Sequence, residues 1–496
     1  MRILIFHGYL LRGTGSNVYN ASLARALAGL GHEVHLLCQD RAAGDLEWVS
    51  ADAGPGKVKV YNPDIGRVLP VYVADAYEGF DAITYDKLTD DQLDDYLESN
   101  VKAVKEVAER ADPDVALANH LVMGPAIVAR ALGGQVPYAV KVHGSALEYT
   151  VRPGRDRFLP YAREGLEQAG GVLVGSRHTA ESLWEVLDVD DLPGRTRLGP
   201  PGVDTKAFRP RPVEEAAEAL ESLAARLEGA EAASWGGDAG AAAALHHLDP
   251  REDRIVSYVG KLIVSKGVDL LLAAWPLVHR RVPEGELVVV GFGEYRKGLE
   301  RLRAALQAGD LDDAREIARL GRELEGGPAG ELEYLTAFLS DPPEGYAEAA
   351  AAAMERVAFT GRLEHEDLPD LLCACQAQVV PSTFPEAFGM VAAEAAACGA
   401  LPVAANHSGL AEVARTFAPE LDEPVRRLLT FERGPEAVEQ LAERLVTWLE
   451  LDPAERERAT EALARTAHER YSWEGVARGV IAAAEGRLDD LLEPRG

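Results

Sequence analysis

PSTFPEAFGMVAAEAAACGALPVAANHSGLAEV, residues 381–413, is the stretch on which the reading of the fold turns. The buried run Ala377–Val380 before it predicts a strand that ends in a proline-containing loop. A helix is predicted from near Phe388 to Gly399, with Glu386 ahead of it and Glu394 inside it. At 1.5 Å rise per residue the two carboxylates stand about 12 Å apart along the axis. That excludes a glycosidase-type carboxylate pair, which needs facing groups about 5–9 Å apart. Between the glutamates lie the amides of the helix start at Phe388, Gly389 and Met390. Such an end attracts phosphate through its N–H groups and the helix dipole. The order carboxylate, amides, carboxylate matches sugar hydroxyls, diphosphate and ribose hydroxyls along a nucleotide sugar. Taken singly, each glutamate reads as a solvated residue, because exposed Glu is common; the joint order is what argues for a ligand.

Outward from this segment the chain alternates strand and helix. Ile255–Val259, Glu286–Val290, Val357–Phe359, Ala377–Val380, Leu401–Ala404 and Leu428–Phe431 read as strands separated by helices. An earlier series, Arg2–Phe6, Glu33–Cys38, Val115–Ala118, Tyr138–Val142 and Val172–Val174, does the same. This rhythm predicts parallel sheets covered on both faces. Pro200, Pro201, Gly202, Pro210 and Pro212 punctuate a linker between the two series. The expected organisation is an N-terminal Rossmann-like domain over 1–208, joined by a C-terminal helix in 471–496, and a second such domain over 209–470. Two segments near 213–248 and 304–355, Ala/Glu-rich and acidic respectively, read as peripheral helical insertions. Ligands of open parallel sheets bind outside the carboxyl ends of the strands, so the site is expected in a cleft between the domains.

Three further motifs fall at strand ends. Gly260-Lys261-Leu-Ile-Val-Ser-Lys266-Gly267 follows Ile255–Val259 and carries two of only ten lysines in the chain, well sited to neutralise a diphosphate. Val142-His143-Gly144-Ser145 ends the Tyr138–Val142 strand and sets an imidazole toward the expected cleft. Gly13-Thr-Gly15-Ser16-Asn17 lies in the first strand-to-helix loop, where glycine lets the backbone approach a ligand closely. It does not make a dinucleotide fingerprint, since Val18 replaces the third small residue and Gly13 lies seven residues past Phe6. Asp40, at the end of the second strand, is the one feature favouring NAD.

Bulk composition narrows the partners. The chain has 496 residues, a net charge of -30 and 47% hydrophobic residues, which suits two or three globular domains. Nucleic acid is an unexpected partner for so acidic a chain. No apolar run of 18 residues exists, so no membrane span is expected, and Met1–Tyr9 reads as a first strand rather than a signal peptide. Peripheral membrane contact would need a local basic patch, for which Arg152–Arg157 and Arg195–Arg197 are the candidates. Cys38, Cys373, Cys375 and Cys398 do not form a disulfide framework, and the Cys373-x-Cys375 pair lacks a second metal-ligand pair. A cytoplasmic protein is expected.

These motifs together resemble the retaining glycosyltransferases of the GT-B fold, in the large family 4 (glycosyl transferase group 1). The Glu386-x7-Glu394 segment with its downstream SGLAEV is the most specific match; GKLIVSKG, VHGS, PPGVDTKAF at 200–208 and VGS at 174–176 support it. The resemblance implies an α/β fold of two Rossmann-like domains facing across a cleft, the donor held mainly by the second. It implies transfer of a hexosyl unit from a nucleotide-diphosphate sugar to an acceptor hydroxyl, with retention, no cofactor and no metal. By the same resemblance Glu386 would hold sugar hydroxyls and Glu394 the ribose. Lys261 and Lys266 would neutralise the leaving diphosphate, with amides from Phe388 to Val391 on phosphate or sugar. His143 would contact the donor sugar, Gly15 and Ser16 would border diphosphate and acceptor, and Leu363 would meet the base. Lys261 stands where the family usually has Arg, which keeps charge but loses bidentate contact. Two rival readings are an NAD-dependent oxidoreductase using the first Rossmann-like unit and a catalytically idle sugar-nucleotide sensor.

Overall fold

The computed structural model describes residues 1–12, 15–72, 79–229, 238 and 240–494. The chain divides into two units, Met1–Gly202 with Tyr471–Gly496, and Val203–Arg470. In unit 1 the strands are β1 (Arg2–Phe6), β2 (Glu33–Leu37), β3 (Val58–Tyr61), β4 (Val68–Val71), β5 (Asp81–Thr84), β6 (Val115–Asn119), β7 (Tyr138–Val142), β8 (Gly171–Val174) and β9 (Thr196–Leu198). Seven of them form one parallel sheet in the order β3-β2-β1-β6-β7-β8-β9, while β4 and β5 pair separately. Both faces of β1 are buried, from Ile3 to Phe6, as a parallel sheet covered by helices requires.

The end of the chain belongs to this unit. Ser472 caps the helix Trp473–Ala484 by accepting the Gly475 N–H. That helix lies so close to β8 that a Cβ on Gly170 would meet the Ala484 carbonyl oxygen at 2.6 Å. Beyond it the Leu198 N–H donates to the Leu492 carbonyl at 2.8 Å.

Unit 2 repeats the arrangement with β10 (Arg254–Val259), β11 (Gly285–Val290), β12 (Val357–Gly361), β13 (Ala377–Val380), β14 (Leu401–Ala405) and β15 (Thr430–Phe431). Their order is β12-β11-β10-β13-β14-β15, all parallel. The run Leu428–Phe431, expected as a strand, is only partly one. Arg427–Leu429 is a tight helical turn that buries two successive leucines, and only Thr430 and Phe431 pair with β14. In both units the strand order reverses at the first strand, between β1 and β6 and between β10 and β13. Such a switch point leaves a crevice at the strands' carboxyl ends.

Neither segment expected as an insertion is merely peripheral. Helix Val213–Gly229 carries buried residues such as Leu220 and Leu223. The second segment supplies Glu325, whose carboxylate accepts the Val264 N–H at 2.7 Å. That bond ties it to the lysine loop.

Gly267 is one of the tight points of this region. It adopts φ +66°, and a Cβ there would lie 2.1 Å from the Pro381 carbonyl oxygen. Gly326 has a similar φ of +75° but nothing within 4 Å. Gly267→Ala should therefore cost roughly 3 kcal/mol or more, because backbone must move as well as adopt a left-handed conformation, whereas Gly326→Ala should cost only about 1 kcal/mol. Thermal unfolding of the two variants side by side checks this; equal melting temperatures would contradict it.

Candidate functional site

At the unit 2 switch point two loops leave neighbouring strands and are laced together. The loop after β10 is 260–267 and the loop after β13 is 381–389. The Ser265 carbonyl accepts the N–H of Thr383 at 2.9 Å and of Phe384 at 3.3 Å. This brings Lys266 onto Glu386, so the lysine Nζ donates to Glu386 Oε1 in a short ion pair. The Ser382 hydroxyl donates to the same oxygen at 2.6 Å. The SGLAEV segment holds the loop from the other side. The Glu386 N–H donates to Ser408 Oγ at 2.9 Å, and the Gly409 N–H donates to the Glu386 carbonyl at 2.9 Å. A Cβ on Gly409 would lie 2.6 Å from Phe388, so only glycine permits this approach. Burial would push the Glu386 carboxyl up, but the Lys266 charge, the hydrogen bonds and His407 outweigh it, and the net shift is downward. Glu386 is therefore a carboxylate.

The helix itself runs Met390–Ala397, with Gly389 at φ +113° before it. It starts two residues later than expected, because Gly389 takes a left-handed conformation that ends the loop. The N–H groups of Met390 and Val391 open the helix and have no intrahelical acceptor. Phe388 is buried at 8% exposure rather than presenting itself outward.

Glu394 lies one turn further on and is not a surface residue: its side chain is 2% exposed. Its Oε1 accepts from His365 Nε2 at 2.7 Å, while the His365 ring is 27% exposed and stands 5.3 Å from the Phe208 ring. Burial lowers the imidazole's pKa, but Glu394, joined by Asp204 and Glu366, more than reverses this, so the net shift is upward. His365 escaped the sequence reading. It sits in a polar loop, HEDLP, with no spacing relation to Glu394, and only the packing of that loop on the helix reveals the pair. The neighbouring Leu363 is buried at 8% exposure, and Arg362 is paired with Glu364 at 2.8 Å. Lys261 is partly buried on the same lysine loop, its carbonyl accepting from the Tyr258 hydroxyl at 2.8 Å.

The remaining expected residues lie in unit 1. His143 follows β7 and donates from Nε2 to Asn119 Oδ1 at 2.8 Å. Its ring lies 5.0 Å from Tyr19 and 4.9 Å from His120. Burial, then His120, Lys141 and His7, hold it well below the ordinary imidazole value, so it is neutral. Gly15 caps the helix Ser16–Gly29 at φ 62°, and Ser16 accepts through its carbonyl from Asn20. Gly13 and Thr14 lie outside the described residues. Asp40 is buried and spent: its carboxylate accepts the N–H of Leu11 and of Ala42, each at 3.1 Å. The candidate basic patch is also largely neutralised. Arg152 pairs with Glu148 and Glu185, Arg157 with Asp90 and Arg195 with Asp191, while Arg197 donates to the Leu488 carbonyl. Among the described residues no group of three or more His, Cys, Asp or Glu is arranged to hold a metal, and no helix is long and apolar enough to cross a membrane.

Comparison with known proteins agrees with this architecture. Residues 14–202 match the family model of the glycosyl transferase 4-like domain and residues 346–465 that of the glycosyl transferases group 1, together more than half of the chain. A D-inositol 3-phosphate glycosyltransferase from Frankia alni is 28% identical over 480 residues, covering 94% of this chain and 93% of the relative. A glycogen synthase from Mycobacterium tuberculosis is 30% identical over 240 residues, 47% of this chain and 50% of the relative. Among solved structures, a sucrose-phosphate synthase from Thermosynechococcus elongatus superposes with a TM-score of 0.60 at 20% identity, covering 99% of this chain and 100% of that one. Anabaena Alr3699/HepE, solved with UDP and glucose, gives 0.59 at 16% identity over 98% and 99%. The fold is thus that of the GT-B glycosyltransferases, two Rossmann-like units in one chain. Within that class the chain belongs to the group 1 glycosyltransferases.

The Lys266–Glu386 and His365–Glu394 pairs have opposite pH signatures. The folded pKa of Glu386 is lowered, so its contribution is complete above the ordinary glutamate range and is lost as pH falls through the lowered value. The folded pKa of His365 is raised, so its contribution is complete below the ordinary imidazole value and is lost as pH rises through the raised one. The stability gap between the wild type and Glu386→Gln should therefore close on acidification, and that between the wild type and His365→Ala on alkalinisation. Melting temperatures across pH 3–9 check both; gaps that stay constant with pH would contradict the assignment.

Proposed function

We propose that the chain transfers a hexosyl unit from a nucleotide-diphosphate sugar to an acceptor hydroxyl, with retention and without a metal, unit 2 taking the donor and unit 1 the acceptor. The carrying observation is the order of groups along one loop and the helix that follows it in unit 2: the ion-paired Glu386, the open amides of Met390 and Val391, then Glu394 one turn on. That order fits sugar, diphosphate and nucleoside. A relative of the same fold was solved with UDP and glucose, and a relative over nearly the whole chain is named for transfer to D-inositol 3-phosphate.

On this reading the Lys266–Glu386 pair is a stored exchange. When a diphosphate arrives on the helix end, Lys266 turns to it and Glu386 is released to accept from sugar hydroxyls. The Glu386 oxygens then accept from hydroxyls in place of the ammonium, and Ser382 still donates to Oε1. Lys266, Lys261 and the helix amides then stabilise negative charge as the glycosidic bond breaks. An oxocarbenium-like centre forms, the acceptor hydroxyl attacks from the face the diphosphate leaves, and the leaving phosphate takes its proton. In unit 1 a neutral His143 suits a hydrogen bond to an uncharged hydroxyl rather than a charge contact. The oxidoreductase reading loses its main support, since Asp40 is occupied by two backbone N–H groups. A sugar-nucleotide sensor would bind donor and release no diphosphate with any acceptor.

A thermal-shift screen of UDP, GDP and ADP, then of their sugars, tests donor binding, because a ligand of the native state raises the melting temperature by mass action. Nicotinamide cofactors should give no shift. With a donor and acceptor in hand, the product anomer read by NMR should match the donor's, and EDTA should leave the rate unchanged; an inverted product or a rate restored only by magnesium or manganese would overturn those parts. Glu386→Gln should depress kcat by roughly 10- to 100-fold, as for a lost charged hydrogen bond made in the transition state, and leave free diphosphate affinity unchanged or tighter because Lys266 is unpaired. Lys266→Ala should weaken diphosphate binding instead. If Glu386→Gln loses diphosphate affinity and keeps kcat, the exchange is wrong.

A further inference from the structure

A cavity of about 210 Å³ lies in unit 2 where the segment 322–335 faces the start of the helix Val268–His279. That segment falls outside both spans matched by the family models. Much of the wall is apolar: Val264, Leu270, Leu332 and Leu335 are all buried. One charged group interrupts it. Asp269 lines the cavity at 3% exposure, and its Oδ1 has no hydrogen-bond partner among the described residues. Tyr295 is near enough to sense the Asp269 charge, yet its hydroxyl does not bond to it. We propose that the cavity binds an aliphatic diamine, with one ammonium on Asp269, the methylene chain over the leucines and the second ammonium at the exposed Glu331 and Glu333. This does not depend on the reading of unit 2 as the donor-binding unit.

A carboxylate sealed from water without a partner is costly, so the position takes up either a proton or a cation. Burial pushes the Asp269 carboxyl up to about 7, against the pull of its own backbone N–H. An ammonium supplies the missing partner, because it only donates and a carboxylate only accepts. The sign of the lining points the same way. Asp269, Glu331 and Glu333 stand against one guanidinium, Arg322, whose Nε donates to Glu325 at 3.3 Å. Arg319 also lies near Glu331 but is paired with Glu316 at 2.6 Å. An anion would meet three carboxylates, and a neutral alcohol would leave the buried charge uncompensated. Size limits the ligand further. The cavity holds roughly seven water-sized groups at about 30 Å³ each, which suits a short chain and is too small for a nucleotide. Val264 and Thr383 in the wall come from the two loops joined at Ser265, so a bound amine would touch both.

Calorimetric titration of the full chain at pH 8 and about 0.15 M salt tests this, the salt screening non-specific attraction to a chain of net charge -30. The probes are 1,5-diaminopentane, pentylamine, 1-pentanol and pentanoate. The diamine should bind at a single site, pentylamine about threefold or more weaker for want of the rim contact, and the alcohol and the anion should give no heat of binding. Asp269→Asn keeps the side-chain shape and an oxygen for the backbone N–H, and should weaken both amines about tenfold or more, the loss of a charged hydrogen bond. The double variant Glu331→Gln, Glu333→Gln changes only exposed residues and so guards against a folding defect. It should bring the diamine down to the affinity of pentylamine and leave pentylamine unchanged. No amine binding by the wild type, pentanol bound as tightly as pentylamine, or full amine affinity in Asp269→Asn overturns the site. So do many weak sites that disappear as salt is raised, which would mean attraction to surface charge alone. If Asp269→Asn does not fold, the double variant decides: diamine affinity unchanged there overturns the proposal.

Discussion

One carbonyl group organises the functional end of unit 2. Ser265 accepts from the backbone N–H groups of Thr383 and Phe384, joining loops that leave two different strands of the sheet. These loops would otherwise diverge, because β10 and β13 are the strands between which the chain order reverses. The clasp is tight enough that Gly267 has no room for a side chain against Pro381. Lys266 and Glu386, 120 residues apart in sequence, meet because of it.

Both glutamates of this end are compensated inside the unit. Glu386 has Lys266 and Ser382, and Glu394 has His365. A carboxylate drawn out of water without a partner would cost several kcal/mol or would take up a proton. Pairing holds both side chains in place without a ligand. It also means that a ligand does not simply fill the spaces around these side chains. On the proposed reading it exchanges with Lys266 at the Glu386 pair. The compensation sets what a substitution of either partner does.

Periodicity and strand-end motifs make the two Rossmann-like units legible in the amino-acid sequence, because parallel strands buried on both faces read as short apolar runs between helices. Most strand positions agree within a residue. Val357–Phe359 runs on to Gly361, and β3, β4, β5 and β9 have no counterpart in the strands read from the sequence. Leu428–Phe431 is a two-residue edge strand after a tight turn, and an apolar run alone does not separate the two. At the site, the Glu386-x7-Glu394 spacing and the two lysines are readable as local pattern. Their pairings are not. Lys266–Glu386 depends on the Ser265 clasp, and Glu394–His365 on the packing of a loop 29 residues away. Likewise Asp40 has the sequence position of a ribose ligand, and only its two backbone donors show it to be structural. Exposure misleads in the same way: Glu394 looks like a surface helix residue in sequence and is almost fully buried.

A crystal structure of the chain with a nucleoside diphosphate bound tests the central claim most directly. The account predicts the β-phosphate on the Met390 and Val391 amides, with Lys266 turned from Glu386 onto it. A diphosphate bound elsewhere, or bound there with the Lys266–Glu386 pair still closed, would contradict it.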